Sequence, residues 1–260
     1  VYTQEYIQFL RDADRKSPDK LKIIAQKGAQ ERILSVDADI KIIGGSRGGS
    51  KSFSSLMETL KDIRNPDLHG LILRKEKNDL DSLISDSYKV YSQFGTYNKS
   101  QNDMTWNFQN GGWLKFSYYA GAYQDFKDRF QGRQYAYIAV DEGTQIEYKK
   151  FKYLLTNNRN GSHIRNRFWI TCNPDPESWV RKFIDWWVDE DGYIYPERDC
   201  QIRYCYMDGD NPNDIYWGNT KEEVYEQCSD VIDGLFNDNY KNAGLSKLDF
   251  IKSVTFIRAD

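Results

Sequence analysis

Histidine is nearly missing from this chain, which has only His69 and His163, and its four cysteines, Cys172, Cys200, Cys205 and Cys228, form no CxxC pair. These shortages argue against a structural zinc site and leave the cysteines as buried or half-buried free thiols. No apolar run approaches the ~20 residues that a membrane helix needs, and the opening VYTQEYIQFLRDADRK lacks the apolar centre of a signal peptide. The expectation is a cytosolic protein with no membrane partner. Net charge is also scarce: 36 basic against 39 acidic residues leave −3, which excludes indiscriminate coating of nucleic acid by charge alone. Any DNA contact must be local. There is no internal repeat or low-complexity segment, no Met at the start, and no terminal turn signal after SVTFIRAD, so the sequence reads as an excised piece of something longer.

What the chain has in plenty is aromatic side chains, with 19 Tyr, 13 Phe and 7 Trp among 260 residues that are 39% hydrophobic and 29% charged. That composition fits one large globular α/β domain with a full core. Residues 2–34 have roughly helical intervals, interrupted at Ser17-Pro18. DIKIIGG (39–45) reads as a short strand ending in glycines, and the periodicity of 51–64 predicts a helix stopped by Asn65-Pro66. LHGLILRKE (68–76) reads as a second buried strand, followed by a helix over 79–94. MTWNFQNGGWLKFSYY (104–119) alternates on both sides of Asn110-Gly111-Gly112, a hairpin signal. YAYIAVDE (135–142), FWITCNPDP (168–176) and CQIRYCYM (200–207) supply further strands. Strands alternating with helices indicate a mainly parallel sheet with right-handed crossovers. After Asp208, turn residues and a short polar helix replace buried strands, predicting a core over 1–207 and a small helical lid subdomain over 208–260.

Three pieces carry chemistry. GGSRGGSKSF (44–53) lies between a strand and a helix, where backbone N–H groups and the helix N-terminus can bind phosphate oxygens. Its spacing matches the phosphate loop at Gly45, Lys51 and Ser52, with Ser50 in place of the last glycine. Lys51 would reach the β- and γ-phosphates of ATP and Ser52 would hold Mg²⁺. In YIAVDEGTQ (137–145), Asp141 and Glu142 end a strand at the sheet edge where ligands bind. Asp141 suits the water shell of Mg²⁺, and Glu142 suits a base that orients and deprotonates an attacking water. In ITCNP (170–174), Asn173 ends the next strand and is placed to bond the γ-phosphate or that water. Each piece has an ordinary reading beside this one: a mobile turn, a solvated strand end, an Asn-Pro turn.

With these pieces in order, the chain resembles the ATPase domain of the phage terminase large subunit, the motor that packages DNA into procapsids. GGSRGGSKS resembles that family's loop, FQGRQYAYIAVDEGTQ its aspartate-glutamate strand, and WITCNPDPESWVRKFID its coupling segment followed by a Trp-bearing helix. AQERILSVDADIKIIGG resembles the family's opening segment, LILRKEKNDLDSLISD the run after its second strand, and DGDNPNDIYW a stretch near its lid. The resemblance spans about residues 29–217.

It implies a P-loop NTPase of RecA/ASCE type: a mainly parallel sheet flanked by helices, with an antiparallel hairpin extension and a small C-terminal helical subdomain. It implies phosphate binding by Gly45, Ser46, Arg47, Gly48, Gly49, Ser50, Lys51 and Ser52, with Gln30 near the adenine. Arg47 would sense the γ-phosphate, Ser52 and Asp141 would hold Mg²⁺, Glu142 would be the base, and Thr171, Cys172 and Asn173 would couple hydrolysis to movement. Where the family often carries an arginine reaching into a neighbour's site, this chain has Gln131, flanked by Arg129 and Arg133. The implied partners are double-stranded DNA, the portal and procapsid, the terminase small subunit and further copies in a ring, with a monomer in isolation, all in the host cytoplasm. No nuclease activity is expected from this stretch. Two other readings stay open at this point: a different P-loop NTPase, helicase-like or a kinase, and a non-catalytic assembly module with a degenerate loop. The short basic clusters Arg74–Lys77 and Lys127–Arg133 read as solvated faces.

Overall fold

Runs such as IKIIG and YIAV are apolar at nearly every position, and strands of that kind need cover on both faces. The computed structural model, which describes residues 23–45, 50–100, 103–162, 164–173 and 175–259, gives them that cover. Helix α1 (Ala29–Ser35) leads into β1 (Ile40–Gly44), and α2 (Ser50–Glu58) follows the glycine loop. Then come β2 (His69–Arg74), α3 (Leu80–Tyr91), β3 (Gly95–Asn98), β4 (Thr105–Phe108) and β5 (Trp113–Tyr118). Helix α4 (Tyr123–Phe130), β6 (Tyr137–Val140), α5 (Tyr148–Asn157), β7 (Arg167–Cys172) and α6 (Trp179–Phe183) complete the middle. The remainder is β8 (Ile202–Met207), β9 (Ile215–Gly218), α7 (Lys221–Leu235), α8 (Asp238–Asn242) and β10 (Lys252–Arg258).

One ten-stranded sheet holds all of these strands in the order β3-β4-β5-β2-β6-β7-β1-β10-β8-β9. The run from β5 through β10 is parallel, and the two margins are antiparallel. The fold is therefore the expected α/β arrangement, with the hairpin β4–β5 at one margin turning on Gly111, whose φ of 97° favours glycine. Alternate side chains of each strand enter opposite layers. Ile42, Val140 and Ile170 pack under α4, α5 and α6 with Phe126, Phe151 and Phe183, whereas Ile43, Ala139 and Trp169 pack with Leu56, Leu83 and Tyr91 of α2 and α3.

Three sequence expectations change. Of the helix expected over 2–34, residues 2–22 lie outside the described residues, 23–28 are not helical, and only α1 forms. The helix expected over 51–64 stops being α-helical after Glu58 and continues as a 3-10 turn, where the Thr59 hydroxyl donates to the Leu56 carbonyl at 2.8 Å. The stretch after Asp208 is not all helix and turn. Helices α7 and α8 form there with a small core of Val224, Cys228, Ile232 and Ile251, but β9 and β10 join the same sheet. Strand β10 lies directly beside β1, Ile40 opposite Val254 through Gly44 opposite Arg258. Residues 253–257 of that strand are all buried.

A charged cluster lies within the α1–α3 layer. Glu58 is fully buried, Arg167 Nε approaches its Oε1 at 3.2 Å, Lys61 Nζ its Oε2 at 2.9 Å, and Arg167 also pairs with Asp62. Those two cations match the two carboxylates. Lys41, also buried, is the surplus charge: its Nζ donates to the Ile33 carbonyl at 3.0 Å and lies 4.6 Å from the centre of the Trp169 ring. Burial, only partly opposed by Glu58, pushes its ammonium down to about 7 from 10.5. Between those two values the unfolded chain binds a proton that the folded chain does not, so Lys41 makes stability rise with pH across that window. Chemical denaturation at pH 7 and pH 9.5 should show Lys41→Met losing a pH slope of up to about 1.4 kcal/mol per pH unit relative to the parent. Equal slopes in the two proteins would reject a low-lying Lys41.

Candidate active site

Strands β2, β6, β7 and β1 run parallel, so their carboxyl ends share one edge. The register sets Leu73 opposite Val140 and Val140 opposite Ile170, so the next residues, Arg74, Asp141 and Thr171, form a row. Gly44 lies opposite Cys172, which sets Gly45 beside Asn173. The three sequence pieces thus arrive at one edge by strand pairing alone. Of the glycine loop, Ser46, Arg47, Gly48 and Gly49 lie outside the described residues. Gly45 has φ of 142°, in the range that favours glycine. Ser50 opens α2 and is not among the described residues of positive φ, so the backbone there does not require the glycine that usually holds this position.

Lys51 and Ser52, on the first turn of α2, reach back across the sheet edge. Lys51 Nζ donates to the Gly45 carbonyl at 2.8 Å and to Asn173 Oδ1 at 3.1 Å. Ser52 Oγ donates to Asp141 Oδ1 at 2.8 Å. The Asp141 carboxylate is fully buried, and every donor around it belongs to a different element. Thr171 Oγ1 shares Oδ1 with Ser52, while Arg74 Nε donates to Oδ2 at 2.8 Å and its Nη2 forms an ion pair with the same oxygen at 2.7 Å. Arg74 Nη1 in turn donates to the Asp79 carbonyl at 2.7 Å and Ser82 Oγ at 3.1 Å. Reading Arg74 as part of a solvated basic face was therefore mistaken. Its place as the last residue of a buried strand was the available signal, since that residue is carried to the edge beside Asp141.

Glu142 is exposed and left-handed, with φ 56° and ψ 44°. Two neighbours hold that turn: the Glu142 N–H donates to Thr171 Oγ1 at 3.2 Å, and Tyr119 OH donates to the Glu142 carbonyl at 3.1 Å. Thr171 thus ties both acidic residues to β7. Burial, reinforced by the Glu142 and Asp141 charges, raises the Tyr119 phenol far enough to keep it a donor. Tyr119 carried no motif and was missed. Cys172 points the other way, into the core, where burial pushes its thiol up to about 12 against the opposing charge of Lys51.

The other expected site residues stand apart from this cluster. Gln30 is buried in α1, where its Oε1 accepts from the Gln26 N–H at 2.9 Å. Arg129 donates to the Tyr118 carbonyl at 2.6 Å and stacks 3.9 Å above the Tyr118 ring, so it is a structural arginine here. Arg133, just beyond α4, is exposed. Among the described residues no group of three or more His, Cys, Asp or Glu side chains could hold a metal by itself. The facing Ser52 hydroxyl and Asp141 carboxylate are oxygen donors, the set that suits Mg²⁺ when phosphates and water complete its shell.

A family model described as terminase large subunit, T4likevirus-type, N-terminal, matches residues 42–255. No curated protein matches the chain. Among solved structures, the large terminase from a thermophilic bacteriophage is similar at 18% identity and TM-score 0.52, over 66% of this chain and 45% of that one. The same thermophilic phage protein in complex with ADP gives 18% identity and TM-score 0.49, over 64% and 44%. The large terminase ATPase domain of a Thermus phage gives 13% identity and TM-score 0.47, over 66% and 78%. The match takes in less than half the length of the first of these large terminases.

A left-handed residue with a Cβ costs roughly 1–2 kcal/mol. Glu142→Gly should remove that strain, less the added entropy of the unfolded chain, and raise stability by about 0.5–1 kcal/mol. Urea denaturation of parent and variant checks this, and a less stable variant would show that the turn at Glu142 is not strained.

Proposed function

Because the chain belongs to the terminase large subunit family, T4likevirus-type, as its N-terminal domain, we propose that it is the ATP-hydrolysing motor domain that drives double-stranded DNA into a viral procapsid. The observation that carries this reading is the meeting of Lys51, Ser52, Asp141 and Asn173 at one sheet edge. An ATP molecule would lie in the loop from Gly45 to Ser52, its phosphates on backbone N–H groups and the α2 N-terminus, with Arg47 beside the γ-phosphate. Lys51, held on Gly45 and Asn173 in this structure, would turn its ammonium to the β- and γ-phosphates. Bound Mg²⁺, held by Ser52 Oγ and by Asp141 through water, would neutralise charge on the phosphate oxygens.

Glu142 is the base in this mechanism. Its exposed carboxylate takes a proton from water as the water oxygen bonds to the γ-phosphorus and the bond to the bridging oxygen breaks, leaving ADP and phosphate. Tyr119 and Thr171 hold the Glu142 backbone and thereby aim its side chain. Asn173, bonded to Lys51, registers loss of the γ-phosphate and passes it along β7. DNA translocation requires copies that act in turn, so the working form is a homo-oligomeric ring on the procapsid portal, fed by the small subunit in the host cytoplasm. Arg133, rather than the engaged Arg129, is the better candidate for an arginine entering a neighbour's site.

Glu142→Gln should lower ATP turnover by about 10²–10⁴-fold while leaving binding of a fluorescent ATP analogue intact. Lys51→Ala should weaken that binding itself. Unchanged turnover in Glu142→Gln would remove Glu142 as the base, and a parent protein that binds neither ATP nor ADP would remove the ATPase reading.

A further inference from the structure

Arg74 has no part in the mechanism above, yet it is the most committed cation at the sheet edge. Its side chain is 14% exposed, and all three guanidinium nitrogens are in use, two on Asp141 Oδ2 and the third on Asp79 and Ser82. Its contacts thus run to Asp141 on one side and to the start of α3 on the other. Its forked pairing leaves Asp141 Oδ1 to Ser52 and Thr171, the side on which a metal would be held. The bonds from Arg74 to Asp79 and Ser82 fix the guanidinium at the start of α3, so the pair is set before anything binds.

We propose that Arg74 is a positioning residue of the nucleotide site: it turns Asp141 Oδ1 toward Ser52 and offsets the buried carboxylate's charge, so that a nucleoside diphosphate can bind without a divalent cation. The proposal rests on the ATP-site reading. A buried carboxylate with no counter-charge repels phosphate oxygens strongly because little water screens it. With Arg74 in place the pair is neutral, and Mg²⁺ adds affinity without being a precondition for entry. Without Arg74 binding depends far more on the metal.

The test is titration of N-methylanthraniloyl-ADP in Mg²⁺ and in EDTA, with parent, Arg74→Gln, Asp141→Asn and the double variant. Affinity in EDTA should follow the net charge of the pair. Asp141→Asn, left with a bare cation, binds tightest, and the parent and the double variant, both neutral, agree within about threefold. Arg74→Gln, left with a bare anion, binds at least about tenfold more weakly than the parent in EDTA and recovers most of that loss in Mg²⁺. A merely structural role for Arg74 would lower affinity equally in both buffers, and that result overturns the proposal. If the unpaired carboxylate prevents Arg74→Gln from folding, the test falls to the double variant, which buries no unpaired charge. Adding Arg74→Gln to Asp141→Asn must then weaken binding in EDTA by about tenfold, and no change overturns the proposal. A parent that binds the probe in neither buffer rejects the nucleotide site itself, whereas a parent that binds and a metal dependence that Arg74 does not alter reject only this inference.

Discussion

The carboxylate of Asp141 is fully buried, and a buried charge persists only where protein donors replace the water it has lost. Those donors come from three separate elements: Arg74 at the end of β2, Ser52 in the first turn of α2, and Thr171 near the end of β7. The requirement of one anion therefore fixes the relative position of a strand end, a helix start and a second strand end. Thr171 extends that constraint to the Glu142 N–H, so the exposed acid beside Asp141 inherits its placement from the same hydroxyl. The strained backbone of Glu142 is tolerable because Tyr119 and Thr171 over-determine it.

A second buried cluster ties overlapping elements together deeper in the layer below. Glu58 at the end of α2 meets Arg167 at the start of β7, and Lys41, the second residue of β1, lies over Trp169 of β7. Helix α2 is thus held to β7 by Glu58 at one end and by the Ser52–Asp141–Thr171 chain at the other. Both attachments are charge-assisted and lie in the low-dielectric interior, where such bonds are strong.

Much of this was legible in the sequence because its signals are local. Apolar runs located β1, β2, β6 and β7, closed by glycines after β1, an acidic pair after β6 and Asn-Pro after β7, and parallel strands necessarily carry their last residues to one edge. Lys51, Ser52, Asp141 and Asn173 could be singled out from spacing, and the structure brings their side chains together. Contacts that depend on strand order were not legible. Arg74 reads as one more charge in RKEK until β2 is known to lie beside β6. Tyr119 reads as the end of a hairpin until its hydroxyl is found on the Glu142 carbonyl. Strand β10 shows the same limit, since its residues follow a polar helical stretch and nothing local to them indicates insertion beside β1.

The position of β10 bears on how a change at the loop could travel. Its backbone runs in register with β1 to Gly44 and Arg258, and the Ala259 N–H donates to the Gly44 carbonyl at 2.8 Å, immediately before the glycine loop. At its other end β10 follows α7 and α8, whose small core includes Ile251, the residue before the strand begins. The helices after β9 are thus joined to the start of the loop by one strand rather than by a flexible linker. Spatial continuity alone is not coupling, which needs an element with two arrangements that both ends favour differently. The Lys51 ammonium donates to the Gly45 carbonyl and to Asn173 Oδ1, so beside the loop one side chain bridges the ends of β1 and β7, whereas β10 reaches the same place through backbone pairing.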